Sequence, residues 1–413
     1  MNELILISYH FPPAGGNSAP ASIRLGKFAQ YLPEFGWTPL VVSASRGNFD
    51  FLDDSLMFDH NTAVNRVRNY LGRFRGLDRI MSWLPAPGFL LPWTINAGLT
   101  ASHLAKRKKV KLILASSPPS ASFLAGYFAH KLTGLPLVLD YRDQWTLSPY
   151  RTGPRFYRIW DRWLEAQVLK YSRLVVASNT GRLAEHNEYW KISSPKAIVI
   201  PNGFDLKDFE GVRPDRSAGY DLRSEIVIRH MGAIYGARAA TTRSLLNALN
   251  DYLTVRSDAP TIRVQFTGSV PNVLLMPHSA YSSKLILERQ RRASYKEALA
   301  LELGADVLLL LIGRHAQSNA ETSSKVFEYI ASGRPILVAG ESQLLRKLTT
   351  GLDRVFFIGE NPSQEAIADF FHWLNNHGKG DNCAQACSWY DKYLGCYNRR
   401  NIAHNLASHL DVL

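Results

Sequence analysis

Gly15 and Gly16 stand between an apolar run at residues 4–8 and a helical pattern that begins at Ala19. Without a Cβ, such a turn lets backbone N–H groups close on an anion, and the helix behind it adds a positive dipole. The same two glycines would equally serve a turn that needs positive φ. Asp140-Tyr141-Arg142-Asp143 ends another apolar run. Side chains at the carboxyl end of a buried parallel strand are expected to point into a ligand crevice. Asp143 would there hold hydroxyls or act as a base; the alternative is a structural ion pair of Arg142 with Asp143 or Asp140. His10 follows the first strand, where a lone histidine is usually structural. Glu328 lies in a helix that Ser323 or Ser324 would cap and Gly333 would end. Its carboxylate can accept hydrogen bonds from two neighbouring hydroxyls.

Other chemistries lack their residues. The chain has no GxxxxGK[ST], HExxH, GxSxG or GxGxxG after the first strand. No two aspartates stand two apart, so no Asp-x-Asp metal clamp is expected, and no metal site. Cys383, Cys387 and Cys396 have neither disulfide-framework nor zinc-finger spacing. No helix-turn-helix or RNP signature accompanies the positive charge, so nucleic acid is not an expected partner.

Positioning these groups requires strands and helices in alternation. Strand patterns occur at 4–8, 39–43, 112–115, 137–140, 174–177 and 197–200, with helical stretches at 19–32, 120–132, 155–171 and 180–190. After Pro201-Asn202-Gly203 the alternation restarts. Strands are expected at 225–230, 261–267, 306–312, 335–339 and 354–358, with helices at 241–253, 294–303, 323–332, 342–349 and 363–376. This spells βαβ crossovers and parallel sheets covered on both faces. The expected organisation is an α/β chain of two Rossmann-like doubly wound domains facing across a cleft, 1–203 and 204–383. A helical tail, 384–413, is expected to pack back towards the first domain. Of the net charge of +13, residues 1–200 carry +11 (24 basic, 13 acidic) and 201–413 carry +2 (24 basic, 22 acidic). Two domains with different partners are implied.

Taken together, these segments resemble family-4 glycosyltransferases of the GT-B fold, of the type that builds bacterial surface polysaccharides. The resemblance rests on Tyr9-His10-Phe11-Pro12-Pro13…Gly15-Gly16 with Arg24, on Ser116-Ser117-Pro118-Pro119, on Asp140-Tyr141-Arg142-Asp143-Gln144-Trp145, on Ile200-Pro201-Asn202-Gly203-Phe204-Asp205, and on residues 324–335 around Glu328. It implies a retaining glycosyltransferase that moves a sugar from a nucleotide diphosphate sugar to a glycan or polyprenyl-linked acceptor, without a cofactor. By the same resemblance Gly15 and Gly16 face the donor diphosphate, Glu328 holds the ribose, and Arg238 and Lys325 neutralise the leaving group. Arg142 stands where many relatives carry a histidine near the reacting sugar, and His10 and Arg24 are acceptor-side candidates. The family's second glutamate falls on Ala320, with Glu321 displaced by one, and one cation of the usual pair is Ala233. Two alternatives stay open: a nucleotide-sugar epimerase of the same fold, and a catalytically weakened binding scaffold.

Residues 66–93 combine Arg66, Arg68, Arg73, Arg75 and Arg79 with Met81, Trp83, Leu84, Phe89, Leu90, Leu91 and Trp93, and residues 106–109 are all basic. Cations followed by amphipathic rings suit an anionic membrane surface; the alternative is that the rings pack on the core. With no signal-peptide n-region and no apolar run of about 18 residues, the expected location is cytoplasmic, peripheral on the inner face of the plasma membrane.

Overall fold

Strand β1 (Asn2–Ile7) shows how the first sheet is built. Leu4 and Leu6 face one side, Ile5 and Ile7 the other, and all four are fully buried. A strand that is apolar on both faces needs helices on both faces. The computed structural model describes residues 1–57, 62–70, 85–107, 109–148, 154–191, 196–217, 224–275, 281–313, 323–377, 393 and 395–413. They form two compact units, residues 1–202 with 399–413, and residues 203–398.

In the first unit β1, β2 (Trp37–Ala44), β3 (Val64–Val67), β4 (Val110–Ser117), β5 (Leu137–Tyr141), β6 (Leu174–Ala177) and β7 (Ala197–Val199) form one parallel sheet. Its order is β3-β2-β1-β4-β5-β6-β7, so the chain reverses direction across the sheet between β1 and β4. The register sets Ile5 beside Leu40 on one side and Ile113 on the other. Helices α1 (Ala19–Tyr31), α2 (Leu91–Leu104), α3 (Ala121–Thr133), α4 (Arg155–Tyr171) and α5 (Thr180–Trp190) connect the strands. One face of the sheet buries Ile5, Val42, Trp93 and Phe123 together. The other buries Leu4, Leu6, Leu25 and Phe28 with Ile402, Leu406 and Leu410. The last three belong to the C-terminal helix, Arg399–Leu410, which therefore completes this unit's core. Trp37 Nε1 donates to Asp411 Oδ1 over 2.8 Å just beyond it.

The second unit repeats the plan. Strands β8 (Glu225–Met231), β9 (Thr261–Thr267), β10 (Leu285–Gln290), β11 (Val307–Leu311), β12 (Ile336–Ala339) and β13 (Val355–Gly359) lie in the order β10-β9-β8-β11-β12-β13. Helices α6 (Ala237–Val255), α7 (Asn272–Leu275), α8 (Tyr295–Leu303), α9 (Lys325–Ser332), α10 (Gln343–Leu348) and α11 (Gln364–His377) complete it. A capping box starts α8: Ser294 Oγ accepts from the Glu297 N–H while Glu297 Oε2 accepts from the Ser294 N–H. The reversal of strand order here falls between β8 and β11.

Four of the described elements were not foreseen from sequence: β3, β10, α2 and α7. Helix α2 overlaps the stretch read as a membrane-docking segment. Trp93 in it is fully buried, edge-on to Tyr9 at 5.0 Å between ring centroids, so this ring packs in the core as the alternative had it. Residues 71–84 and Lys108 of the docking reading lie outside the described residues.

Candidate functional site

The two sheets each place a glycine turn after their first strand. In the first unit the turn links β1 to α1. Gly16 adopts φ +60, which a glycine takes at no cost, and it opens the short 3-10 turn that leads into α1. Gly15 has φ −102, so conformation does not require it; space does. A Cβ there would stand 2.7 Å from Asp53 Cβ and 2.8 Å from Phe51 Cδ1. The Gly15 N–H donates to Phe51 O over 3.0 Å, so this amide is already spent on its own loop.

Around this turn the first unit separates its predicted residues into two groups. Arg24 is fully buried on α1. Its guanidinium grips Asp140 at the end of β5, with Nη2–Oδ1 2.7 Å and Nε–Oδ2 3.1 Å, and also donates to the carbonyls of Ile200 and Pro201, 2.9 Å each. Ser116 Oγ donates to the same carboxylate over 2.7 Å. Arg24 is thus a structural clamp on the end of the sheet, not an acceptor contact, and Asp140 points into the unit instead of a crevice. Arg142, two residues on, lies beyond the end of β5, so the strand's alternation does not hold it to the face that Asp140 takes.

The second group is only partly buried. Arg142 Nη2 bonds Asp143 Oδ2 over 2.8 Å, and Arg182 Nη1 bonds Asp143 Oδ1 over 2.6 Å. The Arg142–Asp143 ion pair is the structural alternative weighed from sequence. Arg142 Nε is buried with no hydrogen-bond partner among the described residues. The His10 imidazole is pushed down to about 4, by burial first and then by the Arg142 charge, so it is neutral near pH 7. Behind them Glu165 of α4 is fully buried and accepts from the Thr146 N–H over 3.0 Å, beside His186 and Tyr141. The sequence signal for this interior cluster was the Asp161/Glu165 pair at i, i+4 on a helix, which was not read.

The second unit gathers charge differently. Gly232 ends β8 with φ +114, and a Cβ on it would fall 2.6 Å from both Cε and Nζ of Lys325. Glycine is required here on both counts, conformation and close approach. Lys325 is the first residue of α9, a helix of eight residues. Arg238, in the first turn of α6, stands over the Tyr235 ring at 5.2 Å, and its Cγ would meet a Cβ on Gly313 at 3.3 Å. His230 feels both cations. Its Nδ1 contacts Leu309 O at 2.9 Å while its buried Nε2 has no hydrogen-bond partner among the described residues. Burial, then Lys325 and to a lesser degree Arg238, push it down to about 3. Two cations and a neutral imidazole thus gather at the carboxyl ends of β8 and β11, where the strand order reverses, the location expected of a ligand crevice in a doubly wound sheet. Such an arrangement suits a polyanion.

Glu328 follows Lys325 by three positions on α9, so the two side chains share a helix face. It is half-buried, and its charge reaches Glu302 at the end of α8 and Tyr329. Burial first, and Glu328 second, hold Glu302 protonated well above the usual carboxylate range. Tyr329 Oη accepts from the Met231 N–H over 3.1 Å and so ties α9 to the end of β8. His230 and Glu302 were missed from sequence, hidden inside correctly placed elements. Glu321 and Ala320 lie outside the described residues.

Residues 21–208 match the family model described as Glycosyltransferase Family 4. The whole chain superposes on solved structures at low identity. Sucrose-phosphate synthase from Thermosynechococcus elongatus matches with a TM-score of 0.64 at 14% identity, covering 100% of this chain and 99% of that one. A glycosyltransferase from Rickettsia africae gives 0.62 at 13%, covering 100% and 97%. A putative UDP-N-acetylglucosamine 2-epimerase from Listeria monocytogenes gives 0.58 at 12%, covering 100% and 97%. A comparison with curated proteins gives no match. These likenesses and the two parallel sheets make the fold α/β of the GT-B type, as expected from sequence.

Proposed function

We propose that this chain is a retaining glycosyltransferase that moves a sugar from a nucleotide diphosphate sugar to a hydroxyl of a glycan or lipid-linked acceptor, in surface-polysaccharide synthesis at the inner face of a membrane. The observation that carries the reading is the cluster of Lys325, Arg238 and His230 against Gly232. As the sugar departs, negative charge grows on the nucleoside diphosphate. Lys325 and Arg238 are fixed cations for that charge, which lowers the barrier without a required metal. Glu328, on the same face of α9, accepts from the ribose hydroxyls and so sets the position of the reactive bond. The acceptor hydroxyl attacks the anomeric carbon on the face that the diphosphate leaves. The bond from that carbon to the phosphate oxygen breaks, and the hydroxyl proton passes to the departing phosphate. In the first unit Arg142 and Asp143 bind acceptor hydroxyls.

Thermal shift with UDP, GDP and ADP is the first test: one nucleotide raises the melting temperature of the native chain and not of a Lys325→Ala variant. Release of free nucleotide from the matching sugar donor must then depend on added acceptor. The likeness to the Listeria protein supports a second reading, a nucleotide-sugar epimerase. That enzyme would convert donor with no acceptor present, so isomerised donor in acceptor-free reactions would replace the first reading with the second.

A further inference from the structure

Helix α4 is built inside out. Its acidic residues, Asp161 and Glu165, are buried, while Phe156, Ile159, Trp160 and Trp163 are 63, 60, 46 and 52% exposed. These four stand at i, i+3, i+4 and i+7 and so form one stripe along the outer face. The burial of the acids is not a loose arrangement. Asp161 Oδ1 accepts from the Ala86 N–H over 2.8 Å, and Glu165 accepts from the Thr146 N–H. They fix the rotation of the helix and leave its apolar stripe outward. The rings are ordered: Trp160 Nε1 donates to Ala86 O over 3.2 Å, and the Trp160 and Trp163 rings stack at 5.1 Å between centroids. Ala86 leads into α2, whose Leu91, Ile95 and Leu99 are exposed at i, i+4, i+8 spacing.

The charge beside the stripe is of one sign. Arg155, Arg158, Arg162 and Lys170 are all exposed on α4, and neither of its acids is. We infer that this face of α4 docks on a bilayer of anionic phospholipid, with the rings at the boundary of headgroups and acyl chains and the arginines on lipid phosphates. Rings with polar tips, apolar bodies and a cationic border are what such an interface selects. A second copy of the chain fits less well. A two-fold contact through the stripe would set arginine borders of the same sign near one another with no acid between them. The surface differs from the docking segment read from sequence, and the inference stands independently of the donor assignment, because no residue of the second unit takes part.

The test is co-sedimentation of the full chain with phosphatidylcholine vesicles, with and without phosphatidylglycerol. The native protein sediments with the anionic vesicles only, and added salt releases it. Replacing Arg155, Arg158 and Arg162 by Gln lowers vesicle affinity on the order of 100-fold. Replacing Phe156, Ile159 and Trp163 by Ser abolishes sedimentation. Both variants keep the native melting temperature, since the replaced side chains are exposed. Native protein left in the supernatant with anionic vesicles at low salt would overturn the inference. So would Ser variants that still sediment, or a native dimer that the same Ser substitutions convert to monomer in analytical ultracentrifugation.

Discussion

The glycine turn after β1 and the glycine turn after β8 occupy the same topological position in two sheets of like order, yet they meet opposite surroundings. Gly15 is pressed against Asp53 and Phe51, and Arg24, buried on the helix that follows, spends donors on Asp140 and two carbonyls. Gly232 is pressed against the ammonium of Lys325, with Arg238 and a neutral His230 beside it. The first turn is held by packing and internal ion pairing. The second gathers Lys325 and Arg238 around a buried, neutral imidazole. A shared fold thus fixes where a site can form, and the side chains arriving from elsewhere decide what it binds.

The sharpest way to break this contrast is to remove one cation from each side. Arg24→Ala leaves the Asp140 carboxylate buried and uncompensated, at a cost of about 3–5 kcal/mol. Urea unfolding reads that loss directly, and a much smaller value would mean that Arg24 is not the clamp of the first unit. Lys325→Ala reverses the pattern. Like charges near His230 are thinned, so stability is unchanged or slightly higher, while kcat/KM for donor falls on the order of 10²–10³-fold and the nucleotide-induced thermal shift disappears. Equal activity in the Lys325→Ala variant would remove the second turn's claim to the diphosphate.

Much of this contrast was legible in the sequence, and its limits are physical. Residues 4–7 announce a strand buried on both faces because every position is apolar, and Gly333 marks the end of α9. Strands β3 and β10 were missed because they are sheet edges, where Val64-Asn65-Arg66-Val67 and the polar end of Leu285–Gln290 need not be apolar throughout. Arg238 and Lys325 were singled out by resemblance. The partners that give them meaning were not: nothing in local spacing sets Lys325 against Gly232, or Arg24 against Asp140, which is 116 residues away. Helix α4 was placed at its observed bounds, but its inverted face could be recognised only once Ala86 and Thr146 were seen to claim its acids.

Acid sharpens the comparison through His230. Its folded value of about 3 lies below the ordinary 6.5, so the unfolded chain binds the extra proton first. Stability from this group is therefore complete above the ordinary value and is lost as pH falls from about 6.5 towards 3. Between about pH 7 and about pH 5 the loss is about 2 kcal/mol. His10, lowered to about 4, adds a loss of the same sign in the first unit. Bound nucleotide should offset the loss in the second unit by drawing on Lys325, the same charge that depresses His230. Urea titrations at the two pH values check this, and a stability that does not fall towards acid would contradict the buried neutral state of His230.

The smallest expected effect tests the first turn itself. Gly15→Ala introduces a Cβ 2.7 Å from Asp53 Cβ, a contact that the loop must relieve by shifting. Overpacking of this kind costs about 1–2 kcal/mol. If the turn is held by packing alone, the variant melts at a lower temperature, yet the nucleotide still raises that temperature by the native increment. Loss of the increment with little change in baseline melting would mean that the amides of Gly15 and Gly16 reach the ligand after all, and the two turns would then be equivalent in function as well as in position.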